Sequence, residues 1–226
     1  PVVTTYLLKW LKNLKNRKFD YRAVFVPETI GSIAYLSKNY KKLKENVIAG
    51  FNITCVGDDN SYSFLPSRNG DTLSDIVAKH VLKHHTKVFE ENSFLDRGSD
   101  ERQYCSPGID LPIASIMRTK YGEYEQYHTS LDDLDFISDK GLNGAFEALA
   151  LSIICIENNQ IYKSKNLCEP QLSRRGLRST VGAVDNMTQF NKDVTNVLAY
   201  ADGKKDFIRL FFGSIAAVYF ILFFLK

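Results

Sequence analysis

The sequence predicts an α/β fold with a central, largely parallel sheet that helices cover on both faces. Apolar residues make up 44% and charged residues 24% of the 226-residue chain, which are ordinary values for a globular protein. Short β-branched, apolar runs alternate with segments whose apolar residues recur at helical spacing. Such alternation is typical of parallel sheets, which bind ligands at the carboxyl ends of their strands.

The first predicted element is an amphipathic helix. After Pro1, a favoured first helical residue, apolar residues recur at spacings of three and four. Tyr21–Val26 (YRAVFV) follows as a predicted strand, and a second helix begins near Ile33 and continues through Lys38–Lys44. No strand precedes the first helix to bury its apolar stripe, so we expect an upstream segment to be missing.

Strands and helices alternate up to residue 157. The predicted strands are Asn46–Val56, Ser61–Leu65, Lys87–Glu91 and Leu111–Arg118, and the predicted helices are Asp71–His85, capped by Asp71 or Thr72, and Gly144–Glu157. Gly98–Gly108 and Lys120–Asp135 are polar loops. We expect the loops after Val26 and Val56, and those on either side of Leu111–Arg118, to form the walls of a ligand site.

The composition changes after residue 160. Ile161–Arg178 is polar and predicts a linker, and Val184–Ile208 predicts one more helix, with a turn at Ala201-Asp202-Gly203. Leu210–Leu225 is mostly apolar and would span about 24 Å as a helix, whereas a bilayer core measures about 30 Å. This tail is consistent with a short membrane anchor, a buried helix or an unnatural chain end.

Charge and cysteine content exclude several classes. The net charge of +3, from 29 basic and 26 acidic residues, gives no reason to expect a nucleic-acid partner. The four cysteines show neither CxxC nor zinc-ribbon spacing, and the first residues do not form a signal peptide. We therefore expect a cytoplasmic location, with membrane association through the apolar tail as the alternative.

Two residues are candidates for chemistry. Glu28 follows an apolar strand and could act as a general base toward a bound water, or it could simply stabilise the dipole of the next helix. His128 lies in an acidic loop with Asp132 four positions on, which suits metal ligation. The alternative is a surface histidine.

Two weaker patterns are also present. His80 and His84 lie one helical turn apart, a spacing that can bind zinc, but there is no HExxH motif and a plain helix face is the preferred interpretation. Cys105 has nothing near it in the sequence that would make it a nucleophile.

Taken in order, the motifs resemble the co-catalytic zinc aminopeptidases, which include bacterial leucyl aminopeptidases and glutamate carboxypeptidase. The pattern of that superfamily is Glu-Glu-x-Gly…Gly-Ser, Asp-Met-x-Gly, Ser-Asp-His…Gly-Ile-Pro and His-Thr-x-x-Asp. Its counterparts here are FVPETIGS (25–32), TCVG (54–57), SDE (99–101) with GI (108–109), and HTSLD (128–132). PETIGSIAYL, DERQYCSPGIDLP and KYGEYEQYHTSLDDLDFIS are closer to a divergent bacterial subgroup of aminopeptidase-like domains associated with polysaccharide biosynthesis.

The resemblance implies an architecture. Residues 1–165 would form a three-layer aminopeptidase-like domain with a central mixed, mostly parallel sheet, lacking its N-terminal metal-binding portion. Residues 166–208 would be a linker and part of a winged-helix-like domain, because NVLAYADGKKD (196–206) resembles the opening of such a domain. Residues 209–226 would be the apolar tail.

The resemblance also implies an activity, the hydrolysis of a peptide or amide bond near a free amino terminus by zinc-activated water. The partner would be a peptide or a small substrate that bears an amino group. The residues carried over are Glu28 as general base, His128 as zinc ligand, Asp132 as the carboxylate behind that ligand, and Arg102, Tyr104 and Tyr124 as substrate contacts.

The sequence also departs from the superfamily pattern at positions that bind zinc. Thr29 and Thr54 stand where two zinc-binding carboxylates are expected, and a hydroxyl is a poor replacement. The early His and the bridging Asp of the superfamily would precede residue 1. We therefore expect at most one zinc in a full-length relative and no activity from these 226 residues alone. The alternative is a non-catalytic binding module on the same fold, with Glu28 and His128 as ligand contacts.

Overall fold

The computed structural model describes residues 1–176 and 189–210, which fall into two compact units divided between residues 157 and 158. The first unit carries most of the secondary structure. Its helices are α1 (Val2–Asn13), α2 (Ile30–Asn46), α3 (Leu73–His85), α4 (Glu101–Tyr104) and α5 (Asp139–Asn158), with a 3₁₀ turn at Phe94–Asp96, and its strands are β1 (Gly50–Asn52), β2 (Ser63–Leu65), β3 (Glu90–Glu91) and β4 (Ile113–Met117).

The four strands form one mixed sheet in the order β1-β4-β2-β3. β1 runs parallel to β4, with Gly50 opposite Ile113, and β2 runs parallel to β3. β2 and β4 are antiparallel, with Ser63 opposite Met117. The predicted α/β fold with a mixed central sheet is therefore confirmed.

Two predicted strands differ from the structure. Tyr21–Val26 joins no β-ladder among the described residues, and only Gly50–Asn52 of the predicted strand Asn46–Val56 is a strand. β propensity reports side chains that suit a pleated surface, whereas a strand also needs a neighbour that accepts its hydrogen bonds. At Cys55 the backbone enters the left-handed region, with φ of 47°, and such a residue cannot continue an extended strand.

The predicted helices agree with the structure better than the predicted strands do. α1 begins directly after Pro1 and buries Val3, Leu7 and Leu11, whereas Val2 and Tyr6 stay exposed. Thr72 caps α3 in a capping box, in which the Asp75 carboxylate accepts a hydrogen bond from the Thr72 N–H at 2.9 Å. The same carboxylate accepts hydrogen bonds from the Ser67 N–H at 2.7 Å and the Ser67 hydroxyl at 2.6 Å, which ties the preceding loop to the helix start.

Two apolar clusters lie on the first unit's sheet and helices. One contains Leu36, Leu43 and Leu111, with Tyr104 packed against it. The other contains Leu65, Met117 and Tyr121, and Cys55, Phe94 and Tyr127 pack against it. The second cluster extends from the sheet to a cleft described below.

The second unit contains a two-stranded antiparallel sheet. Its elements are β5 (Ile161–Lys163), a 3₁₀ turn (Leu172–Arg175), α6 (Gln189–Tyr200), β6 (Asp202–Asp206) and α7 (Phe207–Leu210). The predicted linker thus contains a strand, and the predicted turn at residues 201–203 opens β6, where Gly203 has φ of 82°. Most of the apolar tail (211–226) lies outside the described residues. Of the helices that are described, none is both long enough and apolar enough to cross a membrane.

Candidate functional site

A cleft of about 350 Å³ opens in the first unit where several loops leave the sheet. It brings together Glu28 and His128, which lie 100 residues apart in the sequence. The lining residues are Glu28, Thr54, Cys55, Val56, Gly57, Asp58, Ser99, Tyr121, Tyr124, Tyr127, His128, Asp132, Phe136 and Ile137.

The turn that presents Glu28 is strained and held from one side. Thr29 has φ of 61° and ψ of −71°, a conformation that costs a β-branched residue of order 1–3 kcal/mol. The Asp100 carboxylate accepts a hydrogen bond from the Thr29 N–H at 2.7 Å, and Arg102 Nη2 donates to the Thr29 hydroxyl at 2.7 Å. Thr29 is thus anchored to Arg102, and Asp100 and Arg102 fix the backbone beside Glu28.

A buried carboxylate supports the cleft from behind. Glu101 is fully buried, and its Oε1 accepts hydrogen bonds from the Gly98 and Ser99 N–H groups at 2.8 and 2.9 Å. The Tyr121 hydroxyl donates to the same oxygen at 2.8 Å, and Asn52 Nδ2 donates to Oε2 at 2.8 Å. Burial, with the adjacent carboxylate, raises the pKa of Tyr121, which therefore stays a hydrogen-bond donor.

Aromatic rings form one wall of the cleft. The His128 ring stacks on Tyr127, with centroids 4.0 Å apart and planes 16° apart, and Tyr124 stacks on Phe136 at 5.0 Å. Tyr127 also meets Tyr124 edge to face at 5.5 Å. His128 itself has φ of 59°, a region that histidine tolerates better than most residues. Stacking and backbone together fix the direction of the imidazole.

Cys55 lies in the cleft at the position where the superfamily pattern has methionine. Its Sγ is 3.6 Å from the Tyr124 hydroxyl and 3.6 Å from the Thr54 hydroxyl. Burial raises the pKa of the Cys55 thiol, and burial together with Cys55 raises the pKa of Tyr124. Both groups are therefore neutral donors at neutral pH, and Cys55 is not an activated nucleophile.

The charged groups that line the cleft are acidic. Glu28 and Asp132 are exposed carboxylates, and Asp58 is buried, accepting hydrogen bonds from the Thr119 hydroxyl at 2.6 Å and the Thr119 N–H at 3.1 Å. The lining residues given above include no lysine or arginine. Such a cleft favours a positively charged group.

The donors present do not complete a zinc site. Within residues 1–176 and 189–210, no three His, Cys, Asp or Glu side chains converge closely enough to hold a metal ion. The hydroxyls of Thr29 and Thr54 contact Arg102 and Cys55. Catalytic zinc needs about three protein ligands, and His128 alone does not supply them.

The structure brings four of the six predicted site residues into the cleft. Glu28, His128, Asp132 and Tyr124 line it together. No hydrogen bond or ion pair joins Asp132 to His128 in the described part of the chain, so the supporting role of Asp132 stays a prediction. The chemical roles of the other three stay predictions as well.

The remaining two predicted contacts lie elsewhere. Arg102 binds Thr29 behind the Glu28 turn and is not a lining residue. Tyr104 packs against the cluster that contains Leu36 and is not a lining residue either. Substrate contact by either side chain stays a prediction, and the position of Arg102 favours a supporting role.

The sequence reasoning missed Cys55, Asp58, Tyr121 and Tyr127 as lining residues. One available signal was the recurrence of tyrosine at every third position, 121, 124 and 127, within an otherwise polar loop. Apolar rings in a polar loop need a packing partner or a ligand.

Comparison with known proteins gives the family. Residues 1–159 match the family described as "Domain of unknown function (DUF4910)". The chain belongs to the DUF4910 family. Residues 160–213 of this DUF4910 chain match a winged helix-turn-helix, so the expected C-terminal winged-helix domain is confirmed.

Two relatives of this DUF4910 chain come from Clostridium acetobutylicum. One is provisionally named a polysaccharide biosynthesis protein with an aminopeptidase-like domain, and it is 39% identical over 211 residues, which are 93% of this chain and 48% of the relative. The other is a crystal structure of a provisionally named peptidase, 35% identical, with a TM-score of 0.84 over 99% of this chain and 51% of that one. The chain therefore spans about half the length of these relatives, and the aminopeptidase-like family is supported.

Proposed function

We propose that this chain carries the substrate cleft of a peptidase-like hydrolase that acts on a peptide or amide bond near a free amino group. The observation that carries the proposal is the convergence of Glu28 and His128 in one cleft. The names of the two Clostridium relatives, one a peptidase and one a protein with an aminopeptidase-like domain, support it.

The acidic lining provides the recognition. Glu28 and Asp132 would attract the ammonium group of a substrate, and the buried Asp58 adds to the negative potential. The tyrosines and Phe136 would cover the apolar part of the ligand. Glu28, exposed and free of side-chain partners among the described residues, is available to take a proton from a water molecule beside the ligand.

His128 is the residue of the cleft that we expect to bind zinc. We propose that His128 binds zinc only together with donor groups that the described residues do not supply, and that the 226-residue chain alone does not hydrolyse peptides. Metal analysis of the purified chain and of His128→Ala after zinc loading tests this point. We expect less than one zinc per chain in both, and one tightly held zinc that His128→Ala loses would contradict it.

A second candidate function is ligand binding without catalysis. Two observations favour it: the described residues do not bring together a complete set of metal donors, and Arg102 engages Thr29. The name of one relative makes a glycan-linked amide or an amino sugar in polysaccharide biosynthesis a candidate ligand class. Both functions need the same cleft, and they differ in whether the bound amide is cleaved when a complete metal site is present.

Calorimetric titration with a dipeptide and its N-acetylated form tests the proposal. Wild type should bind the free dipeptide about fivefold more tightly than the acetylated one, the factor that one exposed ion pair of about 1 kcal/mol provides. Glu28→Gln should reduce this preference, because Asp132 and Asp58 remain, and Glu45→Gln, at an exposed position on α2, should keep it in full. Equal affinity for the two peptides would contradict the proposal.

A further inference from the structure

A second cavity, of about 420 Å³, lies in the first unit beside the cleft. Its walls come from the turn before β2, the residues after α3, the end of β4 and the first turns of α5. None of its lining residues also lines the cleft, so it is a separate space.

Arg118 is the distinctive group in this cavity. It is 4% exposed, its Nε donates a hydrogen bond to the Asp58 carbonyl at 2.8 Å, and its guanidinium lies 3.8 Å from the centre of the Tyr62 ring. Among the residues that the structure describes, no carboxylate lies within 4.0 Å of this guanidinium, so it forms no ion pair there. A buried cation without an acidic partner is uncommon, because desolvation of the charge is costly.

The acids that line the cavity have other basic neighbours. Asp59 pairs with Lys140 at 3.3 Å. Glu147 lies 4.0 Å from His85 Nε2, and its side chain is 63% exposed, so water screens its charge. His85 Nε2 also shares a 3.1 Å contact with the Tyr62 hydroxyl. Arg118 is therefore the charge in this cavity whose partner is missing from the described residues.

A glycine keeps space open beside the guanidinium. A Cβ atom at Gly144 would lie 2.4 Å from the Tyr62 hydroxyl and 3.1 Å from Arg118 Nη1. Any side chain at this position would crowd the ring and the guanidinium. The exposed Asn143 beside it lines the mouth of the cavity and offers an uncharged donor.

We propose that this second cavity binds a small oxyanion, a carboxylate or a phosphate group, through Arg118. Two adjacent N–H donors of a guanidinium match two oxygens of either group, and stacking on Tyr62 holds the fork in one plane. The proposal is independent of the function proposed for the cleft, because the two spaces share no lining residue.

NMR titration of the full 226-residue chain tests the proposal. Inorganic phosphate and acetate are added in separate arms at constant ionic strength, and the Arg118 Nε–H signal is followed. We expect a saturating shift in at least one arm, and the tighter arm identifies the oxyanion. Arg118→Gln lacks this Nε–H, so it is compared with wild type at the neighbouring Thr119 backbone N–H, where it should show no saturating shift. The absence of a saturating shift in both arms would overturn the proposal.

Because Arg118 also binds the Asp58 carbonyl, Arg118→Gln could fail to fold, and a second variant keeps the test decisive. Asn143→Asp places a negative charge at the exposed mouth of the cavity and should weaken oxyanion binding about fivefold or more. Asn46→Asp adds the same charge at the exposed end of α2 and should bind as wild type does. Wild-type affinity in Asn143→Asp would contradict a site at Arg118.

Discussion

Two glutamates near the cleft, Glu101 and Glu28, have the same side chain in opposite environments. Glu101 is fully buried behind Ser99 and Tyr121 and accepts four hydrogen bonds. Glu28 is exposed, and its carboxylate has no hydrogen-bond partner among the described residues. The hydrogen bonds of Glu101, which we call the support of the cleft, are already formed without a ligand. The exposed side chains at its edge, Glu28 and His128, which we call the rim, are available to bind one.

The two histidines His80 and His128 differ in burial in the same way. His80 on α3 is 1% exposed, and neither of its ring nitrogens has a hydrogen-bond partner among the described residues. Its ring instead meets His84 edge to face, with centroids 4.8 Å apart. His128 is exposed and directed by its stack on Tyr127. Buried and exposed members of each pair should therefore respond differently to the same substitution.

The largest effect should come from the buried carboxylate. Glu101→Gln leaves an amide facing donors that now need an acceptor, and we expect it to lower the free energy of unfolding by about 3 kcal/mol. Urea unfolding followed by circular dichroism measures it. A loss below about 0.5 kcal/mol, the usual range for surface substitutions, would contradict the claim that Glu101 stabilises the fold more than Glu28 does.

The buried histidine should make stability depend on pH. Burial lowers the pKa of His80 to about 4, below its ordinary value of 6.5, so the unfolded chain binds this proton more readily. The stabilisation is present above pH 6.5 and is lost as pH falls toward 4, by roughly 1–2 kcal/mol at pH 5. Unfolding at pH 7 and pH 5 measures it.

The matched variants separate His80 from the other titrating groups. His80→Leu should unfold with a smaller difference between pH 7 and pH 5 than wild type. Tyr6→Leu, at an exposed position on α1, should keep the wild-type difference. If His80→Leu retained the full difference, another group would be its source.

A smaller effect is expected at the Glu28 turn. Arg102→Ala removes the donor to the Thr29 hydroxyl, and we expect a loss of about 1 kcal/mol in stability. Hydrogen exchange of the Thr29 amide, which is bonded to Asp100, should become faster. Arg102→Lys should restore part of the protection, and unchanged exchange in Arg102→Ala would show that Arg102 does not hold the turn.

The smallest effect on stability is expected at the rim. Glu28→Gln and His128→Asn should each change the free energy of unfolding by less than about 0.5 kcal/mol, because both side chains are exposed. Both should nevertheless weaken ligand binding, and calorimetry on the same samples measures that effect. A rim variant that unfolds the protein would place its side chain in the support of the cleft instead.

The sequence predicted the parts of this molecule whose signals are local. The sequence left Asp71 and Thr72 open as caps of α3, and the structure has Thr72; the mixed α/β fold is confirmed. The convergence of Glu28 and His128 follows from motif order together with the resemblance. The pairing of Tyr21–Val26 could not be predicted, because a strand depends on a neighbour far along the chain. The support by Glu101 was also hidden, since its donors come from separate loops and one side chain of β1.

One NMR titration tests most directly the claim that Glu28 and His128 serve one ligand. A dipeptide with a free amino terminus is added to the labelled chain, and the side-chain signals of both residues are followed together. We expect both signals to shift with a single dissociation constant, and the N-acetylated dipeptide to produce weaker shifts. Independent responses of the two residues, or no response from either, would contradict the account.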